Sequence, residues 1–447
     1  MKKHGLTGIR LERTEEKLTA QSGLGIGFEE IYGALEVGKL IKAHMPKPGS
    51  NRGYGAETFI KPILATLLGG GESLEDIERI NSDESLKKVI RIEKIPVSQA
   101  YGEWLRRIGS DKASFSGLGE AQKGIKHPII KSTNLKEFTL DLDAVEIIAD
   151  KKEAEWTYKN NKGYMPMLAF LKEVPVCIVE EFREGNDVPQ NRNADIIRQS
   201  KSEMPEETTI TRVRIDSAGY QAEVINECDN EDYPITFYIG ASLDSAVQKA
   251  ILSIPEKEWL PLKDKHGNDT DREVAETIHC MNKTKQSFRL VVQRFVPKKK
   301  KNTVDQVALF SAVEYRYRAI ATNSTETCEE VVYFYNDRGQ EENYNKEIKN
   351  GFSMRHMPCG QFEANAVWFR LGVMAYNLFI ALKYLAFPPE WRQKTIKSMR
   401  WQLFQVAGKW VDHARQIVLK MGGVCQDIIN LLKYVQQSCY MFRLSTA

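Results

Sequence analysis

Near Lys136 the chain changes its hydrophobic period, and that change limits the fold more than any other feature. Phe138, Leu140, Leu142 and Ala144 alternate with Thr139, Asp141, Asp143 and Val145, the twofold repeat of a β-strand. Tyr164–Leu171 and Val176–Phe182 read as two more strands, joined by a turn near Lys172-Glu173. A helix is expected over Ala194–Ser202, a strand over Ile210–Asp216, a helix running through Cys228 and a strand over Ile235–Gly240.

Three strands followed by helix, strand, helix, strand is the order of an α/β core of the ribonuclease-H-like kind. A β-rich insertion then interrupts it at about 241–323, with a polar loop over Lys263–Asp271 and strands over Phe288–Phe295 and Glu314–Ala321. Between those strands lies a basic run, Lys298, Lys299, Lys300 and Lys301.

The flanks read as helical. Ile31–His44 carries a helical apolar pattern that stops before Pro46, and Glu57–Leu68 carries another. Ser73–Asp76 resembles a capping box opening the next helix, and Gln99–Ile108 is helical in spacing. A helix-turn-helix DNA reader and a plain helical subdomain both fit this series. From Phe352 onward the pattern is again helical. Trp391–Trp401 there mixes cations with aromatics, and Lys409, Arg415 and Lys420 extend the basic character. Such a surface suits a phosphate backbone, as it would an ordinary solvated helix face. The expected organisation is a helical, DNA-binding N-terminal region over 1–135, the core over 136–351 and a helical C-terminal region over 352–447.

A chain of 447 residues exceeds one small core, and its formal charge of +3 argues neither for nor against nucleic acid. The seven cysteines are odd in number and form no Cys-x-x-Cys pair, which points to a reducing compartment rather than a disulfide framework. His279-Cys280 and His356-Met-Pro-Cys359 lack the spacing of paired zinc ligands. No apolar signal segment follows Met1, so a cytoplasmic, nucleoid-associated protein is expected. The longest apolar stretch, Ala364–Phe387, is broken by Arg370, Asn377 and Lys383 and reads as a buried helix.

After an expected strand over Val331–Tyr335, the chain presents Tyr335, Arg338, Glu342 and Lys349, which a helix would gather near one face. A core-packing helix would carry apolar residues at those offsets. One carboxylate among cationic and phenolic groups suits metal-dependent phosphodiester chemistry. Asp143 on the first core strand and Asp216 at the end of a later one are its candidate partners, because adjacent strands bring them together. Three convergent oxygen donors are what Mg²⁺ or Mn²⁺ prefers. Each residue also has a plainer reading. Asp141 faces the same way as Asp143, Asp216 is placed to cap a helix, and Glu342 stands beside Glu341 and Glu347 as one of several surface acids.

These residues resemble the DDE transposases of bacterial insertion sequences, in the group with the Tyr-(2)-Arg-(3)-Glu-(6)-Lys signature. The signature is complete as Tyr335, Arg338, Glu342 and Lys349, and its extended form matches through Asn336 and Gly339. Leu140-Asp-Leu-Asp143-Ala and Arg214-Ile-Asp216-Ser-Ala-Gly-Tyr220 are similar to the two aspartate blocks. Lys162-Gly-Tyr-Met-Pro166, Ala364-Asn-Ala and Ala375-Tyr-Asn377-Leu are similar to recurrent blocks between and after them. The resemblance runs in order from about Gly27 to Lys420; Val145 departs from the threonine frequent at its position.

The resemblance implies cut-and-paste transposition. Asp143, Asp216 and Glu342 would hold two Mg²⁺ ions per site, with Mn²⁺ able to substitute. Water would cut the strand at the element's inverted-repeat end, and the 3′-hydroxyl so formed would attack the opposite strand or the target DNA. Tyr335, Arg338 and Lys349 would grip double-stranded DNA near the cut, and the insertion with Lys298–Lys301 would contact the transposon end. A homodimer pairing two ends is the expected assembly. The competing readings are a ribonuclease-H-like nuclease or resolvase that only hydrolyses, a catalytically inactive DNA-binding relic, and a two-carboxylate glycosidase, which leaves the signature unexplained.

Overall fold

The computed structural model describes residues 12, 14–49, 53–264, 266–297, 315–413, 416–422 and 425–446. The chain forms two compact units, one from residues 1–104 and 381–447, the other from residues 105–380.

The unit formed by 105–380 is built on one nine-stranded mixed sheet. Its strands are β1 (Glu137–Ala144), β2 (Met167–Leu171), β3 (Cys177–Glu181), β4 (Thr209–Ile215), β5 (Thr236–Ala241), β6 (Leu260–Lys263), β7 (Asp269–His279), β8 (Phe288–Phe295) and β9 (Arg316–Thr322). Their order across the sheet is β6-β7-β8-β9-β5-β4-β1-β2-β3. β1, β2 and β3 pair antiparallel, β1 and β2 joined by the longer segment 145–166 and β2 and β3 by a short turn, whereas β4 lies parallel to β1 and β5 parallel to β4. Parallel neighbours need crossover helices, supplied by α1 (Asn193–Ser202) and α2 (Ala222–Cys228). This 3-2-1-4-5 arrangement is the α/β, ribonuclease-H-like core expected from the sequence.

The described residues of the insertion form no separate module. β6 to β9 make an antiparallel meander whose last strand pairs with β5, so they prolong the core sheet. β7 begins inside the segment read as a polar loop: its alternating charged residues line a largely solvated strand. The basic run Lys298–Lys301 lies outside the described residues.

Val331–Tyr335 is helix, not the strand read from its β-branched and aromatic composition. It belongs to α3 (Cys328–Asn336), opened by a capping box in which Thr327 and Glu330 satisfy each other's backbone N–H groups. Val331 and Val332 bury against Tyr238, Leu262, Val274, Val291 and Ile320, seating α3 on the extended part of the sheet.

At the other end of the sheet, β3 is an edge strand covered by α4 (Phe362–Ala381). The Asn377 amide receives the Cys177 N–H at 3.1 Å and donates to the Cys177 carbonyl at 3.0 Å, replacing a neighbouring strand. Asn365 binds the backbone of Cys359 in the same two-handed way and also donates to the Tyr164 hydroxyl at 3.1 Å. Gly163 lies so close to the Ile147 carbonyl that a Cβ would stand 1.9 Å from its oxygen. The recurrent blocks noted in the sequence therefore include framing residues. The apolar helical stretch Phe362–Ala386 is long enough to cross a membrane, but 94 % of its most apolar window is buried within the protein.

The unit formed by 1–104 and 381–447 is mainly helical. Ser22–Ala34 and Val37–His44 are two helices where one was expected, divided at Glu36, whose φ is 51°. Ala56–Gly69 ends at Gly70 with φ 102°, and Arg400 donates to the Leu67 and Leu68 carbonyls of the last turn at 2.6 and 2.8 Å. Ser73–Asp76 forms no capping box; the Asp76 carboxylate turns back to accept from the Glu72 and Ser73 N–H groups. The C-terminal helix Gln426–Thr446 packs along Ser22–Ala34. The basic stretch near Lys409 and Lys420 is a β-hairpin, Gly408–His413 with Gln416–Met421, joined at its edge by Leu18–Thr19, and not part of a helix.

Candidate active site

Register alone brings the two aspartates together. In the parallel pairing of β1 with β4, Asp141 stands opposite Arg214 and Leu142 opposite Ile215. The next residues, Asp143 and Asp216, therefore emerge side by side at the C-terminal edge of the sheet. Ile215 in turn pairs with Ile239, which sets Gly240 beside Asp216.

The same register separates Asp141 from Asp143. The Asp141 carboxylate is fully buried and held by the Arg214 fork, with contacts of 2.6 Å from Nε and 2.5 Å from Nη2. Asp143 is only partly buried. It accepts from the Asn345 amide at 2.7 Å, and Arg338 Nη1 lies 3.9 Å from its Oδ1. Asp216 accepts the Ala218 N–H at 2.9 Å and so caps the short turn Ser217–Gly219, one of the plainer roles foreseen for it.

The signature residues occupy one helical run with changing pitch. Tyr335 lies in the last turn of α3, Arg338 in a tight 3₁₀ turn (Asp337–Gln340), Glu342 on the short helix Glu341–Lys346 and Lys349 in a wide π turn (Glu347–Gly351). Tyr335 reaches the end of β5. A Cβ on Gly240 would stand 2.5 Å from the Tyr335 hydroxyl, so glycine there leaves room for the phenol. Burial raises the Tyr335 pKa, against the pull of the nearby Arg338. Glu342 is 62 % exposed and pairs with Lys346 at 3.5 Å. The Lys349 ammonium donates to the Glu146 carbonyl at 2.6 Å, three residues beyond Asp143; burial lowers its pKa.

Glu341 was grouped with the surface acids, but its side chain is fully buried. It receives Arg338 Nη1 at 3.2 Å. Burial first, and then Asp141 and Asp143, push its carboxyl well above the usual range. Arg338 stays firmly charged: burial opposes its charge, but Glu341 and Asp143 outweigh it. No local pattern distinguishes Glu341 from Glu342, because its burial comes from strands some 200 positions away in the chain.

Asp143 carries the clearest electrostatic signature. Burial, with repulsion from Asp216 and Glu342, raises its pKa to about 6 despite Arg338 and Asn345. Like charges crowded at a sheet edge make a seat for a cation, and carboxylate oxygens suit a hard divalent ion. Among the described residues, no three carboxylate, histidine or cysteine side chains close around a single point as they stand. Glu342, turned toward Lys346, is the member of the three that faces solvent most.

Residues 6–438 match the family described as transposase DDE domain group 1. The chain belongs to this transposase family. No curated protein matches it. Among solved structures it is similar to a piggyBac transposase in a synaptic complex with hairpin DNA, with a TM-score of 0.45 and 10 % identity over 85 % of this chain and 78 % of that one. As a transposase of the DDE family, the protein belongs to a class that generally works with divalent metal ions.

Proposed function

We propose that this transposase cuts DNA at the inverted-repeat ends of an insertion sequence and joins the resulting 3′-hydroxyls to target DNA. Asp143, Asp216 and Glu342 are its catalytic carboxylates and the ligands of two Mg²⁺ ions, for which Mn²⁺ substitutes. The observation that carries the reading is the crowding of Asp143 by Asp216 and Glu342 at the edge of the core sheet. The bound ions supply charge neutralisation at the phosphate and at the entering and leaving oxygens.

The chain's own residues have separate tasks. Arg338, buried and held charged, faces the phosphate beside Asp143. The Asn345 amide holds the Asp143 carboxylate in one orientation. Lys349 uses one of its three donors on Glu146 and has two for DNA. The Tyr335 phenol, above Gly240, lies against the strand near the cut. In the first step a water oxygen bonds to phosphorus and the 3′-oxygen leaves as a hydroxyl; in the second, that hydroxyl attacks a new phosphodiester and displaces its 3′-oxygen. Lys298–Lys301 contact the transposon end, and a homodimer holds two ends together in the cytoplasm.

The test uses purified protein, Mg²⁺, uncut and pre-cut end duplexes from the DNA flanking the gene, and a supercoiled plasmid. Joined product that vanishes in Asp143→Asn, Asp216→Asn and Glu342→Gln supports the reading. Cutting without joining indicates a hydrolytic nuclease. Binding without metal-dependent cutting indicates an inactive relic.

A further inference from the structure

Arg214 lies on β4 two residues before Asp216 and is fully buried. Its side chain makes three directed contacts. Nε and Nη2 take both oxygens of Asp141 on β1, two residues before Asp143. Nη1 donates to the Phe334 carbonyl at 2.7 Å, in the last turn of α3. A backbone carbonyl has two lone pairs, so this one can take an outside donor within a helical run. The guanidinium also lies 5.0 Å from the centre of the Phe334 ring. One side chain therefore joins the first-aspartate strand, the second-aspartate strand and the helical run that leads to Glu342.

Fold stability does not explain this choice. An ion pair with both partners buried is generally no more stabilising than well-packed apolar side chains of similar volume. A bidentate fork with a third donor adds direction and spacing instead.

We infer that Arg214 is a positioning residue, setting the spacing of Asp143, Asp216 and the Glu342 helix through its joint hold on Asp141 and the Phe334 carbonyl. The inference rests on the carboxylate assignment proposed above. It concerns a residue that touches neither DNA nor ion.

The decisive variant is the apolar pair Asp141→Leu/Arg214→Met, with Arg214→Lys as a second that keeps the charge but not the three contacts. Manganese binding is measured on DNA-free protein by the electron paramagnetic resonance signal of free Mn²⁺, beside the urea unfolding midpoint, end-duplex binding and cleavage at saturating Mn²⁺. The expected result is a folded protein with near-wild-type DNA binding, Mn²⁺ affinity weakened at least tenfold and cleavage slowed at least tenfold. Wild-type Mn²⁺ affinity and cleavage in a folded variant overturn the inference. Failure of both variants to fold also overturns it, because the tie would then be a stability device. Asp143→Asn serves as the separate control. If it binds Mn²⁺ as tightly as the wild type, the carboxylate assignment itself fails, whatever the Arg214 variants do.

Discussion

Gly240→Ala tests the contact between β5 and the signature helix. The added methyl would stand 2.5 Å from the Tyr335 hydroxyl but 3.4 Å from the ring carbon that bears it. The first distance is a hard overlap; the second is ordinary contact. Gly240 does not have a left-handed backbone, so alanine gains about 0.5–1 kcal/mol over glycine in the strand, offset in part by a tight 3.3 Å approach to the Ser217 nitrogen that Tyr335 variants leave unchanged. The overlap costs roughly 1–3 kcal/mol, or less if the ring swings out of the site. Tyr335→Phe alone removes a hydroxyl that feels the pull of Arg338, at about 0.5–1.5 kcal/mol. In the double variant the methyl occupies the space vacated by the oxygen. A double-mutant cycle by urea unfolding should therefore show coupling of about 1–2 kcal/mol, with the double variant more stable than additivity predicts. End cleavage should fall in Gly240→Ala and should not recover in the double variant, which still lacks the phenol oxygen. Additive stabilities would refute the proposed contact. Full cleavage by Gly240→Ala would show that the phenol's position does not matter to the reaction.

Three further outcomes follow from the geometry. Asn377→Ala leaves the N–H and carbonyl of Cys177 without their edge partner, at ~2–6 kcal/mol for two buried groups, and Asn377→Asp should be worse because a carboxylate then faces a carbonyl; thermal melting of both checks the order. Chelation by EDTA should abolish end cleavage while duplex binding survives, and added Mn²⁺ should restore it; cleavage that persists in EDTA would contradict the carboxylate assignment. Glu341→Gln keeps the shape of the buried side chain but weakens its hold on Arg338; it should slow cleavage while shifting the unfolding midpoint by less than about 1 kcal/mol, because the native carboxyl is costly to ionise where it lies.

The core was legible wherever apolar residues recur regularly along a strand. The alternation from Phe138 to Ala144 marks β1, and Phe288–Phe295 matches β8 residue for residue. The region of the site was legible because Asp143 and Asp216 end strands whose hydrophobic patterns are clear. Composition misled at Val331–Tyr335, where valines and aromatics suggest a strand. The decisive local signal was four residues earlier, in Thr327 and Glu330, whose reciprocal capping opens a helix. The hairpin at 408–421 was hidden in the same way by basic residues that suit either a helix face or a strand edge. Glu341 and Arg214 were not legible at all. One is buried and the other given its three partners by strand pairing between distant segments, and no neighbour in sequence records that.

The pairing of β9 with β5 also decides what happens if the insertion is cut away. A shortened core ending at β5 would not simply lose an appendage. It would bare the hydrogen-bonding row of β5 over Tyr238–Ala241, now satisfied by Ala319–Thr322, and strip the apolar seat from beneath Val331 and Val332. A raw strand edge of that kind recruits other chains, so the trimmed protein should aggregate and not persist as a smaller nuclease. Substitutions on the exposed faces of β6 to β9 leave that row covered, and they are the changes this region can absorb while the core stays soluble.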